Sequence, residues 1–239
     1  MGRLFLVRHA QASFLSQNYD QLSALGETQA RHLGQYWARC GLVFKGVYAG
    51  PAQRHRRTAE ITGEACREAG VAFPIPVAVN AFDEFHGDAM LAESLPQLRA
   101  KDARICELED GVKGAGDETQ KRAAFQRLFE VVVSLWVNGK LPLQKAESWQ
   151  AFSDRVNRGL DRLFADAGKG ASIGVFTSGG PIGVVMQRAL HLSPQDTLQI
   201  LWMSRNSSYS EFLFSRDRFT LSSFNAYPHL EEDSLLTYR

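Results

Sequence analysis

The first apolar run of the chain, Leu4-Phe5-Leu6-Val7, stops abruptly at Arg8-His9-Ala10-Gln11. A short apolar run bounded by polar residues reads as a buried strand, so a strand is expected over 4–7 with His9 just past its C-terminal end. A polar loop is expected over 13–18. Ser23 can then cap a helix on which Leu25, Ala30, Leu33 and Trp37 recur at helical spacing, ending near Gly41. Positions 44–49 form a second strand candidate and 52–69 a second helix, with Ala59, Ile61 and Ala65 on its buried face and Gly70 at its end. A third strand is expected over 73–79. The alternation then breaks. The stretch 85–146 is charged in its first half and helical in its second, above all over 121–137, and reads as an insertion. A helix over about 148–167, an apolar strand over 172–177, and a helix over 182–190 opened by Gly179-Gly180 restore the α/β alternation. Two late strands, 209–214 and 219–224, flank the turn Ser215-Arg216-Asp217-Arg218.

With 239 residues the chain suits one large α/β domain, or such a domain carrying an insertion. Lys and Arg number 27 against 26 Asp and Glu, so no net field recruits nucleic acid or an anionic membrane, and any attraction for anions must be local. Cys40, Cys66 and Cys106 are odd in number and lack metal-ligand spacing; neither a disulfide framework nor a zinc site is expected, and a reducing compartment is. The N-terminal stretch lacks the apolar segment of a signal peptide, Leu6 stands where a myristoylation motif needs Ser or Thr, and no run reaches membrane-spanning length. A cytoplasmic protein is expected.

A histidine closing a strand is structural in most chains, so His9 gains a chemical role only from its company. Three other segments also follow strands, at 50–58, 82–87 and 177–182, and in an open α/β sheet ligands bind beyond the carboxyl ends of the strands. The first segment carries Arg54 with His55, Arg56 and Arg57. An arginine on the first turn of a helix joins bidentate donors to the positive end of the helix dipole, which suits a phosphate; Arg56 and Arg57 are expected on an exposed face. The second carries Asp83-Glu84 among Ala81, Phe82 and Phe85. Burial there would raise a carboxyl's pKa toward neutrality and make Glu84 a proton donor, the alternative being an ordinary exposed loop carboxylate; His86 is expected at the surface. The third, Thr177-Ser178-Gly179-Gly180, brings backbone N–H groups to a helix start and lets an anion approach closely. It has the outline of a nucleophile elbow, but G-x-S-x-G fails at Phe176 and no triad partner stands nearby.

Taken in order, Leu6-Val7-Arg8-His9-Ala10, Arg54 with Thr58-Ala59, Phe82-Asp83-Glu84 and Thr177-Ser178-Gly179-Gly180 resemble the motifs of the histidine phosphatase superfamily, the phosphoglycerate-mutase-like proteins. The resemblance extends to residues 22–30, to Glu147-Ser148-Trp149 with Phe152 and Arg155-Val156, and to Asn206-Ser207-Ser208, covering most of the chain outside about 88–140. It implies a three-layer α/β/α sandwich with a mostly parallel central sheet and a helical insertion over the site. It also implies that His9 attacks phosphorus and becomes phosphohistidine, that Arg8 and Arg54 hold the phosphoryl oxygens, and that Glu84 protonates the leaving alcohol and then deprotonates the hydrolytic water. No cofactor or metal is implied, and the expected partner is a small phosphate ester or a phosphoprotein.

One motif departs from the family. Its fourth motif usually reads His-Gly-Gly, whereas Ser178 stands here before Gly179 and Gly180. A neutral hydroxyl gives about half the hydrogen-bond strength of a charge-assisted donor, so turnover is expected to be weakened, with phosphate-ligand or phosphoprotein binding in a regulatory protein as the alternative to catalysis. His55 or His86 could substitute in space, although both are expected at the surface. The loop after His9 lacks the long motif by which phosphoglycerate mutases of the family are recognised, which favours a phosphatase over a mutase. The insertion is expected to cap the pocket and select the leaving group.

Overall fold

A computed structural model describes residues 1–13, 20–141 and 143–238; the polar loop expected over 13–18 lies, beyond Ser13, outside the described residues. The chain divides into two compact units, one of Met1–Glu84 with Arg155–Arg239 and one of Phe85–Asp154.

The first unit holds a mixed six-stranded sheet. Its elements are β1 (Gly2–Arg8), α1 (Ala24–Arg39), β2 (Gly46–Ala49), α2 (Gln53–Glu68) and β3 (Val77–Ala78). After the second unit come β4 (Ser172–Thr177), α7 (Gly179–Leu190), α8 (Pro194–Met203), β5 (Tyr209–Phe214) and β6 (Phe219–Ala226). The strand order is β3-β2-β4-β1-β5-β6, with β1 to β4 mutually parallel and the β5–β6 hairpin antiparallel to them. β1 over Leu4–Val7 and β4 over Ile173–Phe176 carry no polar side chain, because these stretches lie at the centre of the sheet with both faces covered. Phe5 and Val7 point to a core shared with Leu33 and Trp37 of α1, Ala59 and Cys66 of α2, and Phe176 of β4. Leu4 and Leu6, one residue out of phase, face the other side. There Arg188 of α7 lies over Phe164 and Phe219, and Phe164 stacks on Phe214 at 4.3 Å.

Helix starts follow local chemistry. Ser23 accepts from Gly26 N at 3.0 Å and caps α1; Ser193 caps α8 with Pro194 in its first turn. α2 starts at Ala52, whose side chain cannot cap it, and Asp20 supplies the carboxylate instead, accepting from Gln53 N at 2.7 Å and Arg54 N at 3.4 Å. α1 and α2 pack closely at Gly34, where a Cβ would lie 2.3 Å from the Thr62 carbonyl oxygen. Gly34→Ala is expected to destabilise this unit by about 1–3 kcal/mol, since overpacking forces the two helices apart; urea unfolding with an unchanged midpoint would contradict it.

Two expectations need correction. The third strand pairs only at Val77–Ala78, not over 73–79, because Pro74 and Pro76 have no N–H to offer a ladder; Phe73 is spent in the core against Phe44, and Ile75 is 85% exposed. The second unit is helical in its charged first half as well as its second. It contains α3 (Gly87–Arg99), α4 (Ala103–Lys113), α5 (Glu118–Val137) and the opening turns of α6 (Trp149–Ala167). Pro96 inside α3 masked its periodicity, while Asp102 and Asp117 cap α4 and α5. Phe85, Trp136, Trp149 and Phe152 form an aromatic cluster, with Phe85 and Trp136 centred 4.6 Å apart. The backbone N–H groups of Gln144, Lys145 and Ala146 all donate to Glu93, and these bonds hold its carboxyl below the usual range. The described residues contain no helix long and apolar enough to cross a membrane.

Candidate active site

The C-terminal ends of the parallel strands share one edge of the sheet, and the antiparallel β5 begins at that edge, with Tyr209 opposite Val7. Everything placed just after β1, β2 and β4, or just before β5, is thereby brought together. His9 follows β1, donates its backbone N–H to the Thr177 carbonyl at 2.8 Å, and is 6% exposed. Its own carbonyl accepts from Ser207 N and Asn206 Nδ2, both at 3.2 Å. Ser207 adopts a left-handed φ of 61° to make that turn. Ala10 N is held by Thr58 Oγ1 at 3.1 Å, and Gln11 N by the buried Gln29 at 2.9 Å. The loop carrying His9 is thus fixed from both sides.

The imidazole is fixed as well. His9 Nδ1 lies 2.7 Å from the Ala10 carbonyl oxygen. A carbonyl only accepts, so the neutral ring carries its proton on Nδ1 and presents a lone pair on Nε2. Burial, then the charges of Arg54 and Arg8, hold the His9 pKa well below that of an ordinary histidine. The ring is therefore unprotonated at neutral pH and some way into acid, with the chemistry a nucleophile requires.

Arg8, at the end of β1, is buried and donates from Nη1 to the Ser204 carbonyl. Arg54, on the first turn of α2, donates from Nη1 to Asp20 at 2.7 Å and places Nη2 3.5 Å from Ser178 Oγ. Ser178 follows β4 and is 2% exposed; as N-cap of α7 its side chain makes no capping hydrogen bond. Glu84 is half-buried, and its Oε2 accepts from Gly180 N at 3.1 Å. The Glu84 segment is anchored by Thr177 Oγ1, which donates to the Phe82 carbonyl at 2.6 Å. Arg155 also anchors it, with Nη1 within 3.0–3.2 Å of the Asn80, Ala81 and Asp83 carbonyls.

The structure therefore brings together Arg8, His9, Arg54, Ser178, Gly179 and Glu84, all in the first unit, and changes three expectations. The anion cradle is partly filled from within, because Glu84 takes the Gly180 amide. Glu84 for its part sits against a helix start, a more polar setting than its apolar neighbours suggested. His55, expected at the surface, is fully buried: its Nε2 is 2.5 Å from Ser178 Oγ and its ring 5.6 Å from that of His9. Burial first, then His9 and Arg54, keep it unprotonated. Gly50 makes the space, since a Cβ there would fall 2.3 Å from His55 Nδ1. Arg56 and His86 are exposed, and Arg57 pairs with Glu27, Glu60 and Glu64 on the surface. Asp20 was missed altogether; its partners lie more than thirty residues away and no local pattern marks it. Among the described residues no three His, Cys, Asp or Glu side chains converge as a metal ion would require.

A buried imidazole lone pair beside two guanidiniums is equipped to receive a phosphoryl group. The model of the histidine phosphatase superfamily, branch 1, matches residues 4–88 and 92–227. The chain belongs to that superfamily. A search of curated protein sequences returned no match. Among solved structures, the chain is similar to the Entamoeba histolytica phosphoserine phosphatase in complex with 3-phosphoglyceric acid, at 18% identity and a TM-score of 0.63 over 96% of this chain and 100% of that one. It is similar to a mycobacterial glucosyl-3-phosphoglycerate phosphatase in complex with inorganic phosphate, at 20% identity and 0.61 over 95% and 98%. A third is a putative α-ribazole-5′-P phosphatase from Escherichia coli, at 19% identity and 0.60 over 95% and 98%. At these identities the likeness is one of fold.

Proposed function

We propose that this superfamily member is a metal-independent phosphomonoesterase working through phosphohistidine on His9. The observation that carries the reading is the Nδ1–Ala10 hydrogen bond, which leaves the Nε2 lone pair of a buried, unprotonated imidazole as the nucleophile. In the first step an Nε2–P bond forms, the ester P–O bond breaks, and the departing alkoxide oxygen takes a proton from Glu84. In the second, Glu84 takes a proton from water, the new O–P bond forms, the N–P bond breaks, and inorganic phosphate leaves. Arg8 and Arg54 neutralise the equatorial phosphoryl oxygens, Arg54 exchanging its Asp20 partner for them, while Ser178 and Gly179 border the same pocket. Two fixed guanidiniums supply the charge that a metal supplies elsewhere. Likeness to enzymes named for phosphoserine, glucosyl-3-phosphoglycerate and ribazole phosphate supports a small phosphate ester as substrate.

The test uses a ³²P-labelled aryl phosphate in EDTA with acid-free quenching. Wild type is expected to turn over and to trap an alkali-stable, acid-labile label that His9→Ala lacks. Tight phosphate binding with no label in wild type would replace the enzyme by a binding protein, the outcome that Ser178 in place of the usual histidine would explain.

A further inference from the structure

The contact between His55 and Ser178 has no part in the mechanism above, yet it joins two buried polar side chains within the nucleophile's surroundings. His55 Nε2 lies 2.5 Å from Ser178 Oγ, and Arg54 Nη2 lies 3.5 Å from the same oxygen. The direction of the first bond follows from the other ring nitrogen. His55 Nδ1 is buried against Gly50 and meets no hydrogen-bond partner among the described residues. A buried N–H without an acceptor is costlier than a buried lone pair without a donor. The proton therefore sits on Nε2 and is donated to Ser178 Oγ. The serine oxygen then accepts from His55 and faces a second donor in Arg54, so its own O–H must point to a third direction. The oxygen is not used by its own helix, because Ser178 stands at the N-cap of α7 without accepting a backbone N–H.

We infer that His55 and Ser178 form a donor relay for the transferring phosphoryl group: Ser178 donates its hydroxyl proton to a phosphoryl oxygen, and His55 holds the hydroxyl in that orientation. Ser178 is then a catalytic residue and His55 a positioning residue. The inference rests on the phosphatase reading and adds a role to two residues of that site. It also explains how the site works with a serine after β4: the imidazole comes from α2 and stands one step behind the hydroxyl. Gly50 is part of the device, because any larger residue would expel the ring.

The test is a double-mutant cycle. His55→Ala and Ser178→Ala are each expected to lower kcat for an aryl phosphate by about 10- to 100-fold. The double variant should lose no more than the worse single variant, because the two act as one unit. His55→Gln, whose amide can reach the same oxygen with an N–H, should recover most of the rate. The His55→Ala/Ser178→His variant, which returns an imidazole to the vacated space, should exceed His55→Ala. A merely structural His55 would shift the unfolding midpoint without producing this coupling. Additive losses, or no loss in either single variant, overturn the inference; if His55→Ala does not fold, His55→Gln in the wild-type and Ser178→Ala backgrounds carries the cycle, and an equal effect in both overturns it. Vanadate affinity, measured on the same set, needs no turnover. If wild type forms no phosphohistidine, the phosphatase reading fails, and the relay stands or falls on whether the two alanine variants weaken vanadate binding without additivity.

Discussion

Replacing His9 by Ala is expected to lower kcat/KM for an aryl phosphate by about 10⁴-fold or more, and replacing Arg54 by Ala by about 10²- to 10³-fold. The two losses have different causes, and pH separates them. Without His9 nothing remains to form the N–P bond, and the arginines can only bind. Without Arg54 the nucleophile survives, but two things change. A guanidinium that faces the phosphoryl group is lost, and a positive charge that opposes protonation of His9 is removed. The protonated imidazole becomes less unfavourable, the His9 pKa rises toward its ordinary value, and the acid limb of kcat/KM moves to higher pH. Arg54→Lys keeps the charge but not the forked donors, so its rate should fall while its acid limb stays close to wild type. A pH–rate profile of the three proteins, with ¹⁵N chemical shifts of His9 as a direct reading, makes the comparison. An acid limb unmoved in Arg54→Ala would mean that Arg54 does not act on His9 in the free enzyme.

Much of this site was legible in the chain because its residues follow strands, and a strand end is marked by a change of pattern at a single point. The run 4–7 breaks at Arg8-His9 and the run 172–177 at Ser178, and parallel pairing of β1 with β4 makes neighbours of residues almost 170 positions apart. What stayed hidden depends on contacts with no local signature. His55 lies in Arg54-His55-Arg56-Arg57, where only Arg54 was expected to face a ligand; the close passage of Gly50, just after β2, shows that the imidazole turns inward as well. Asp20 caps a helix that begins 33 residues later, a job that sequence logic assigns to the residue just before the helix. The charged first half of the insertion folds as α3 and α4: Asp102 caps α4, most of the charges lie on exposed faces, and the buried Glu109 is paired with Arg99. α8 was the reverse case, since Ser193-Pro194-Gln195-Asp196 carried a full start signal and went unread.

Stability should fall steeply as pH drops below about 6.5, earlier than carboxylate titration alone would cause. Three histidines of the first unit, His9, His55 and His229, are buried and held neutral, His229 with its pKa lowered to about 3 by burial and by nearby His32. In the unfolded chain each returns to a value near 6.5. As pH falls through 6.5 the unfolded state takes up protons that the folded state refuses, so the unfolded state is favoured; above 6.5 neither state binds them and the effect vanishes. Each such histidine removes about 1.4 kcal/mol per pH unit until its folded pKa is reached, and three together remove about 4 kcal/mol per unit. Against a total stability of about 5–15 kcal/mol, such a slope removes a large share of the stability of this part of the molecule over the first units of acidification. Hydrogen exchange of the β1 amides at pH 7.5, 6.5 and 5.5 reads the slope within the unit that contains the histidines. His229→Gln should lessen it by about a third, because glutamine can keep the hydrogen bond between residue 229 and Ser207 Oγ, which lies 3.1 Å from His229 Nε2, while taking up no proton. A slope equal to that of wild type in this variant would show that His229 is protonated in the folded protein, and with it that burial does not hold these rings neutral.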